Sequence, residues 1–372
     1  MLSQFHLQFF RDQVASGLEQ RAHRAPACKF TSMSVAKSAL QKSIRRGDAA
    51  LALLGSQYLM EQDQSAFWRR LVIIALEDVG LGSLDVVGQV IACAAGTKPR
   101  RQIADDWTVT SYLVSEMCRS IKDRTTDELA VLAEYQPALE RSRSDLACLP
   151  LRDLLDIIHE RSRSPEELAI AAWYAIGTDR YRSTYLAGRS GDPVAFWSVL
   201  ENAGVPQSLI AVCQTGLLRA RTVLVAYLPI VWLLAKDDPR SVVFDNLTDN
   251  QTIDGLPGWA YGGHTREGRR AIAVYLKSGS GLSRWLRHHA PEASPTYVVD
   301  SLLFRVESGL VDKRLSWPTG DRLRQLVDRD VHRIDPNLAS EALDILRSEL
   351  PLLDAARQRV VGFTSDNQHY RR

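Results

Sequence analysis

Apolar residues along most of this chain recur at three- and four-residue intervals, the spacing that lines one face of an α-helix. The pattern predicts helices over residues 34–44, 48–61, 65–79, 84–95, 105–120, 126–141, 150–160, 165–175, 192–203 and 205–235. It resumes over 265–278, 281–289, 296–309, 319–328 and 337–357. Gly47 stops the first of these, Asp48 is suited to N-cap the second, and Gly80 and Gly82 end the third. Period-two alternation is scarce, with Ser241 to Phe244 the one modest strand candidate. The first 30 residues are mixed and end in a breaker stretch around Pro26, and the tail from Gly362 to Arg372 is expected to be disordered. The expected fold is all-α and multi-helix, with a minor β-hairpin near 241–262.

Composition narrows the picture by exclusion. With 372 residues, 45% of them hydrophobic, the chain is long enough for two domains and a core that needs no staples. A net charge of +2 announces neither nucleic acid nor membrane. Arg supplies 38 of the 46 basic residues; it favours planar carboxylate and phosphate partners, although a GC-rich genome favours it too. Cysteines stand at 28, 93, 118, 148 and 213, an odd count without C-x-x-C spacing. That argues against a disulfide framework or a cysteine zinc site and for a reducing, cytoplasmic setting. The most apolar run, Thr222 to Ala235, has 14 residues and an internal Pro229, which predicts a buried core helix and no membrane span. The N-terminus lacks the apolar stretch of a signal peptide.

Motifs for catalysis are missing. Leu71-Val-Ile-Ile-Ala-Leu-Glu77-Asp78 looks like the acid-tipped strand of an ATPase, but the chain contains no Gly-Lys dipeptide and hence no phosphate loop. Phe67, Leu71, Ile74 and Asp78 also share a helical face, so a packed helix with a charged end is the expected structure. No G-x-S-x-G elbow occurs. His288 and His289 are adjacent and diverge on a helix, so no metal is expected.

Two motifs carry a resemblance. Ser38-Ala-Leu-Gln-Lys-Ser-Ile-Arg-Arg-Gly-Asp48 precedes the Ala-rich run Ala49 to Leu54, and Arg69-Arg-Leu-Val-Ile-Ile-Ala-Leu-Glu-Asp-Val-Gly-Leu81 follows about twenty residues later. In order and spacing they resemble the C-terminal helical domain of the replication-associated recombination ATPases, clamp-loader-like AAA+ proteins related to the Werner-helicase-interacting protein. That family reads Ser-Ala-x-x-Lys-Ser-x-Arg-x-Ser-Asp, then Arg-Arg-Leu-x-x-x-Ala-x-Glu-Asp-x-Gly-Leu. The match covers residues 34–90 and fades towards 125. In the family an ATPase module precedes this region; here about 33 residues do, so ATP binding and hydrolysis are not expected. The resemblance implies an oligomer-forming helical module in DNA-associated assemblies. Together with the helix and loop pattern of the unmatched remainder, it gives an N-terminal extension 1–33, a collar-like domain 34–145, a second helical domain 146–361 with a Gly-rich loop at 245–264, and the tail 362–372 as the expected division.

Two basic clusters are candidates for nucleic-acid or anion binding. Lys42, Arg45 and Arg46 stand at a helix C-terminus, where cations are favoured and could also face phosphates. Arg69 and Arg70 are within reach of Glu77 and Asp78, as ion-pair partners or as contacts to DNA. The second cluster is Asp254-Gly-Leu-Pro-Gly-Trp-Ala-Tyr-Gly-Gly-His264-Thr-Arg-Glu-Gly-Arg-Arg270, with Thr265 suited to cap the next helix. Here Trp259 and Tyr261 offer flat faces, while His264, Arg266, Arg269, Arg270 and Lys277 offer cationic donors. Residues 258–290 hold six Lys or Arg against one acid, a net of +5, with Tyr275 and Trp285 interleaved. His264 reads equally as a ligand contact or as a buried brace for the helix.

The resulting expectation is a non-catalytic DNA-associated accessory or oligomerisation protein of replication, recombination or repair. DNA, further copies of the chain and replication or repair proteins are its expected partners. No catalytic residue, cofactor or metal is assigned. The alternatives are an enzyme acting on a nucleotide or phosphate-bearing substrate at the His264–Arg270 loop, and a helical scaffold that binds only protein.

Overall fold

A computed structural model describes residues 2–18, 30, 32–329 and 334–369. The fold is all-α, with four short strands forming two two-stranded sheets among the described residues. The chain forms two compact units, each assembled from separated segments. The first takes the described residues of Met1–Arg24, Asp63–Val243 and Lys313–Val327; the second takes those of Ala25–Gln62, Phe244–Asp312 and Asp328–Arg372. The chain therefore does not divide near residue 145, which lies inside the first unit. The two motifs of the family resemblance fall in different units, residues 38–48 in the second and 69–81 in the first.

In the first unit the Leu224–Ala235 helix is apolar nearly all round and almost wholly buried. Such a helix belongs in a core. It packs against the Thr125–Tyr135, Pro165–Ile176 and Gln207–Ala220 helices. The stretch 205–235, expected to be one helix, breaks at Arg221, whose φ of 51° is left-handed and ends the Gln207–Ala220 helix. The stretch 126–141 breaks because Pro137 cannot supply the next N–H, so the helix stops at Tyr135 and another runs Glu140–Ala147. Asp63, Asp105, Ser164 and Asp192 cap their helices through side-chain oxygens, the last two just before a Pro. The N-terminus, mixed by eye, contains the Leu2–Leu18 helix, which buries Leu7, Phe10 and Val14. Ser241–Val243 forms a strand as expected, but its antiparallel partner is the distant Arg314–Ser316.

The Gln64–Ile74 helix widens into a π turn over Ala75–Val79. Asp78 lies in this turn, fully buried, and pairs with the buried Arg124 guanidinium. Arg124 also pairs with Asp127 and lies 3.8 Å from Glu77. Of the acids after the apolar run, Asp78 is thus held by Arg124, with Glu77 close to the same guanidinium.

In the second unit the Met33–Arg46 and Ala49–Gln62 helices pack together, with Asp48 Oδ1 accepting from Leu51 N at 3.0 Å. A hairpin pairs Thr252–Ile253 with Leu256–Pro257 through Asp254 and Gly255, at φ 49° and 77°. Positive φ at both positions is what an Asp-Gly turn of this type requires. A core of Ile272, Tyr275, Leu282, Trp285, Val298 and Leu353 joins the Arg266–Lys277, Gly281–His289, Pro295–Leu303 and Ala339–His369 helices. The Pro295–Leu303 helix also ends in a π turn, Phe304–Ser308, carrying a fully buried Glu307. The last helix passes through Pro351 and runs to His369, beyond the 357 expected and into the stretch read as a disordered tail.

Cys93, Cys118 and Cys213 are buried, and Cys148 is exposed. Pro26 and Cys28 lie outside the described residues. Among the described residues no helix is long and apolar enough to cross a membrane. The apolar run 222–235 lies in the first unit's core, the buried helix that its sequence predicts.

Candidate anion-binding surface

The loop before the Arg266–Lys277 helix is built from buried parts. Trp259 is only 5% exposed, and the Arg46 guanidinium sits 5.1 Å from its ring centroid. Tyr261 is 3% exposed and donates its hydroxyl to Ile253 O at 3.1 Å. Thr265 caps the helix as expected: its Oγ1 accepts from Gly268 N at 2.9 Å, and its own N–H donates to Gly262 O at 2.9 Å. Gly268, unusual in a first helical turn, is required there. A Cβ would strike the carbonyl oxygens of Tyr261 and Gly262. The space beside Gly262 and Gly263 is filled by Lys42 and Asp300 of the same unit.

Beneath the loop is a buried charge network. Lys42 Nζ donates to Trp259 O at 2.5 Å. Arg45 Nη1 donates to Ser308 O at 2.7 Å, and Arg46 Nη2 to Glu307 O at 3.0 Å. Glu307 accepts two hydrogen bonds from Arg357, at 2.9 and 2.6 Å, and one from Asn250 at 2.5 Å. Arg357 donates in turn to Asp354 at 2.7 Å. Burial pushes the Glu307 carboxyl up, but Arg357, Lys42 and Arg46 outweigh it and hold it below its ordinary value. Burial lowers the Lys42 ammonium to about 7; Glu307 and Asp300 oppose that shift, and Arg357 and Arg45 reinforce it. Lys42 and Arg45 are 6% and 4% exposed, so these cations brace the loop rather than face phosphates.

The exposed cations lie on the helix that follows. Arg266, Arg269, Arg270 and Lys277 all point to solvent. At about 100° per residue, Arg266, Arg270 and Lys277 fall within roughly 40° of one another, with Arg269 about 60° to one side. Gly268, Ala271, Ile272 and Tyr275 occupy the opposite, buried side. Among the described residues none of these four cations, nor Arg287 on the next helix, joins an ion pair. Arg284 is exposed and donates to Gly279 O. His264 is exposed, so the buried brace is not formed.

The expected aromatic platform is absent from this face. Tyr275 is buried with its hydroxyl on Glu349, and Trp285 is buried with His289 stacked on it at 4.6 Å. With Trp259 and Tyr261 also inside, the interleaved aromatics are core residues of amphipathic helices. The surface offers charge and hydrogen-bond donors without stacking faces.

Sequence reasoning missed Glu307, Asp354 and Arg357, because Glu307 meets Arg46 and Arg357 across separations of 261 and 50 residues and only the Asp354–Arg357 pair is local. Compared with known proteins, the chain matches no protein-family model, no curated protein and no solved structure.

Proposed function

We propose that this protein is a non-catalytic DNA-associated accessory protein that holds nucleic-acid phosphates on the exposed face of the Arg266–Lys277 helix. The observation that carries the reading is the stripe of Arg266, Arg269, Arg270 and Lys277, all exposed and none in an ion pair among the described residues. An unneutralised cation stripe opposite a buried apolar one is the electrostatic footprint of a phosphate-tracking surface. From Arg266 to Lys277 the helix rises about 16 Å, equal to the axial rise of about five base pairs of duplex DNA. The lack of exposed aromatics on this helix face favours backbone contact over stacking on single-stranded bases. The family resemblance of residues 34–90 adds replication, recombination or repair as the setting and a homo-oligomer as the assembly.

The test is binding of single- and double-stranded DNA at two salt concentrations. Affinity is expected to fall steeply with salt, because releasing the DNA's counterions gains less entropy in a more concentrated salt solution. Arg266→Ala and Arg270→Ala should each weaken binding by about 1.5–3 kcal/mol, the range for hydrogen bonds to charged groups, and flatten the salt slope. Binding that ignores both substitutions, or no binding at low salt, overturns the reading.

A further inference from the structure

The first unit contains a second concentration of unpaired cations, and this one is concave. A cavity of about 410 Å³ is lined by Trp68, Arg69, Thr97, Arg100, Arg219 and Arg221, among others, and by no carboxylate. Its size falls within the range of small-ligand sites, about 300–1,000 Å³. Three separate elements supply the cations. Arg69 comes from the Gln64–Ile74 helix, Arg100 from the Thr97–Arg101 turn, and Arg219 and Arg221 from the end of the Gln207–Ala220 helix.

Arg100 is already committed. It donates to Asp106 at 2.6 Å and Cys93 O at 3.0 Å, and its guanidinium lies 4.2 Å from the Trp68 ring centroid. Arg69, Arg219 and Arg221 are exposed, and no carboxylate pairs with them among the described residues. Arg221 also adopts a left-handed backbone, φ 51°, which a non-glycine residue enters at a cost. Trp68 forms part of the wall: it is 5% exposed, with the Arg100 guanidinium over its ring, so its indole reports on what enters the cavity.

We propose that this pocket binds a phosphate group, with the Arg69, Arg219 and Arg221 guanidiniums as donors and the Trp68 indole as part of its wall. The inference goes beyond the DNA-binding face and uses none of its residues. Phosphate of this kind comes from two sources, a free phosphate ester or the end of a nucleic-acid strand, and the experiment separates them. Inorganic pyrophosphate and a 5′-phosphorylated ten-nucleotide DNA are titrated separately, following the Trp68 indole N–H resonance, assigned through Trp68→Phe. The DNA titration uses protein carrying Arg266→Ala and Arg270→Ala, which silences the other face.

A shift of the Trp68 indole with pyrophosphate identifies a small-molecule site, and a shift with the oligonucleotide alone identifies a strand-end site. In either case Arg69→Ala with Arg219→Ala should raise Kd about tenfold or more, the size of one lost hydrogen bond to a charged group. Both are surface substitutions, so a folding defect does not mask the answer. An indole resonance unmoved by both probes overturns the proposal, as does binding that is equally tight in the double variant.

Discussion

Replacing Glu307 by Gln tests the central role given to the buried network, and a matched pair elsewhere provides the control. Glu307 and Glu166 each take two hydrogen bonds from one guanidinium. Arg357 supplies 2.9 and 2.6 Å, Arg322 supplies 2.8 and 2.9 Å. Geometry is therefore nearly constant, and burial differs. The Arg357 and Glu307 side chains are 1% and 0% exposed, against 46% and 9% for Arg322 and Glu166. Removing one partner of a buried pair leaves an uncompensated charge and destabilises by about 3–5 kcal/mol. Glu307→Gln leaves Arg357 with Asp354 but strips Lys42 and Arg46 of their nearest negative charge, so we expect the full range. Glu166→Gln opens a pair that water already screens, and should lose at most about 1 kcal/mol. At about 2–4 °C per kcal/mol, the first variant should melt roughly 6–20 °C lower and the second within about 4 °C of wild type. Urea denaturation with hydrogen exchange along the chain assigns each loss to its unit. The sign with pH follows from the depressed Glu307 value. Its contribution is present above the unfolded carboxylate range and is lost as acid titrates the folded group, so Glu307→Gln should also lose this acid-dependent limb. Equal losses in the two variants would refute the reasoning, because burial would then not govern the energy.

Lys42→Met should change how stability responds to alkali. Between pH of about 7 and the ordinary lysine value, the unfolded chain keeps a proton that folded Lys42 has released, so wild-type stability gains up to about 1.4 kcal/mol per pH unit from this group. The variant should lose that slope in denaturation series from pH 7 to 10, and an unchanged slope would show that Lys42 is not the group responsible. His264→Ala should weaken DNA binding while leaving the melting temperature nearly unaltered; a drop of many degrees with intact binding would make His264 a brace after all. Light scattering should report a homo-oligomer at tens of micromolar protein, and a monomer there would remove the assembly part of the functional reading.

Helix positions were legible wherever one apolar stripe faced one core, as in the stretches read as 84–95 and 265–278, where helices run Leu84–Ala94 and Arg266–Lys277. Even the neglected N-terminal helix carried the signal, since Leu7, Phe10 and Val14 sit at helical spacing. Legibility failed where tertiary contact overrides local pattern. The Arg221 break lies in a long apolar run, and nothing in the neighbouring residues marks the turn into left-handed backbone. The division into units was hidden for a related reason: the strand at Ser241 pairs with Arg314–Ser316 rather than with a neighbour in sequence. At the candidate surface, Thr265, Arg266 and Arg270 could be placed from the capping pattern alone. Trp259 and Lys42 could not. An aromatic beside glycines reads as a platform, and a lysine at a helix end reads as solvated, until the partner that covers each is known.

The interleaving of the two units sets a timetable for synthesis. Lys42 leaves the ribosome long before Glu307, the carboxylate that favours its charge, and before Arg357, which holds that carboxylate. At about 5–20 residues per second, the Met33–Arg46 helix waits roughly 15–60 s for its last partner. Through that interval the nascent chain exposes the apolar face of this helix, including Val35, Ala39, Leu40 and Ile44, with no finished core to receive it. A chaperone that holds the early segment, or slow translation after residue 62, would therefore decide how much of the newly made protein reaches the folded state. Shortening the chain before Arg357 would leave the second unit without its closing piece, however intact the segments already made.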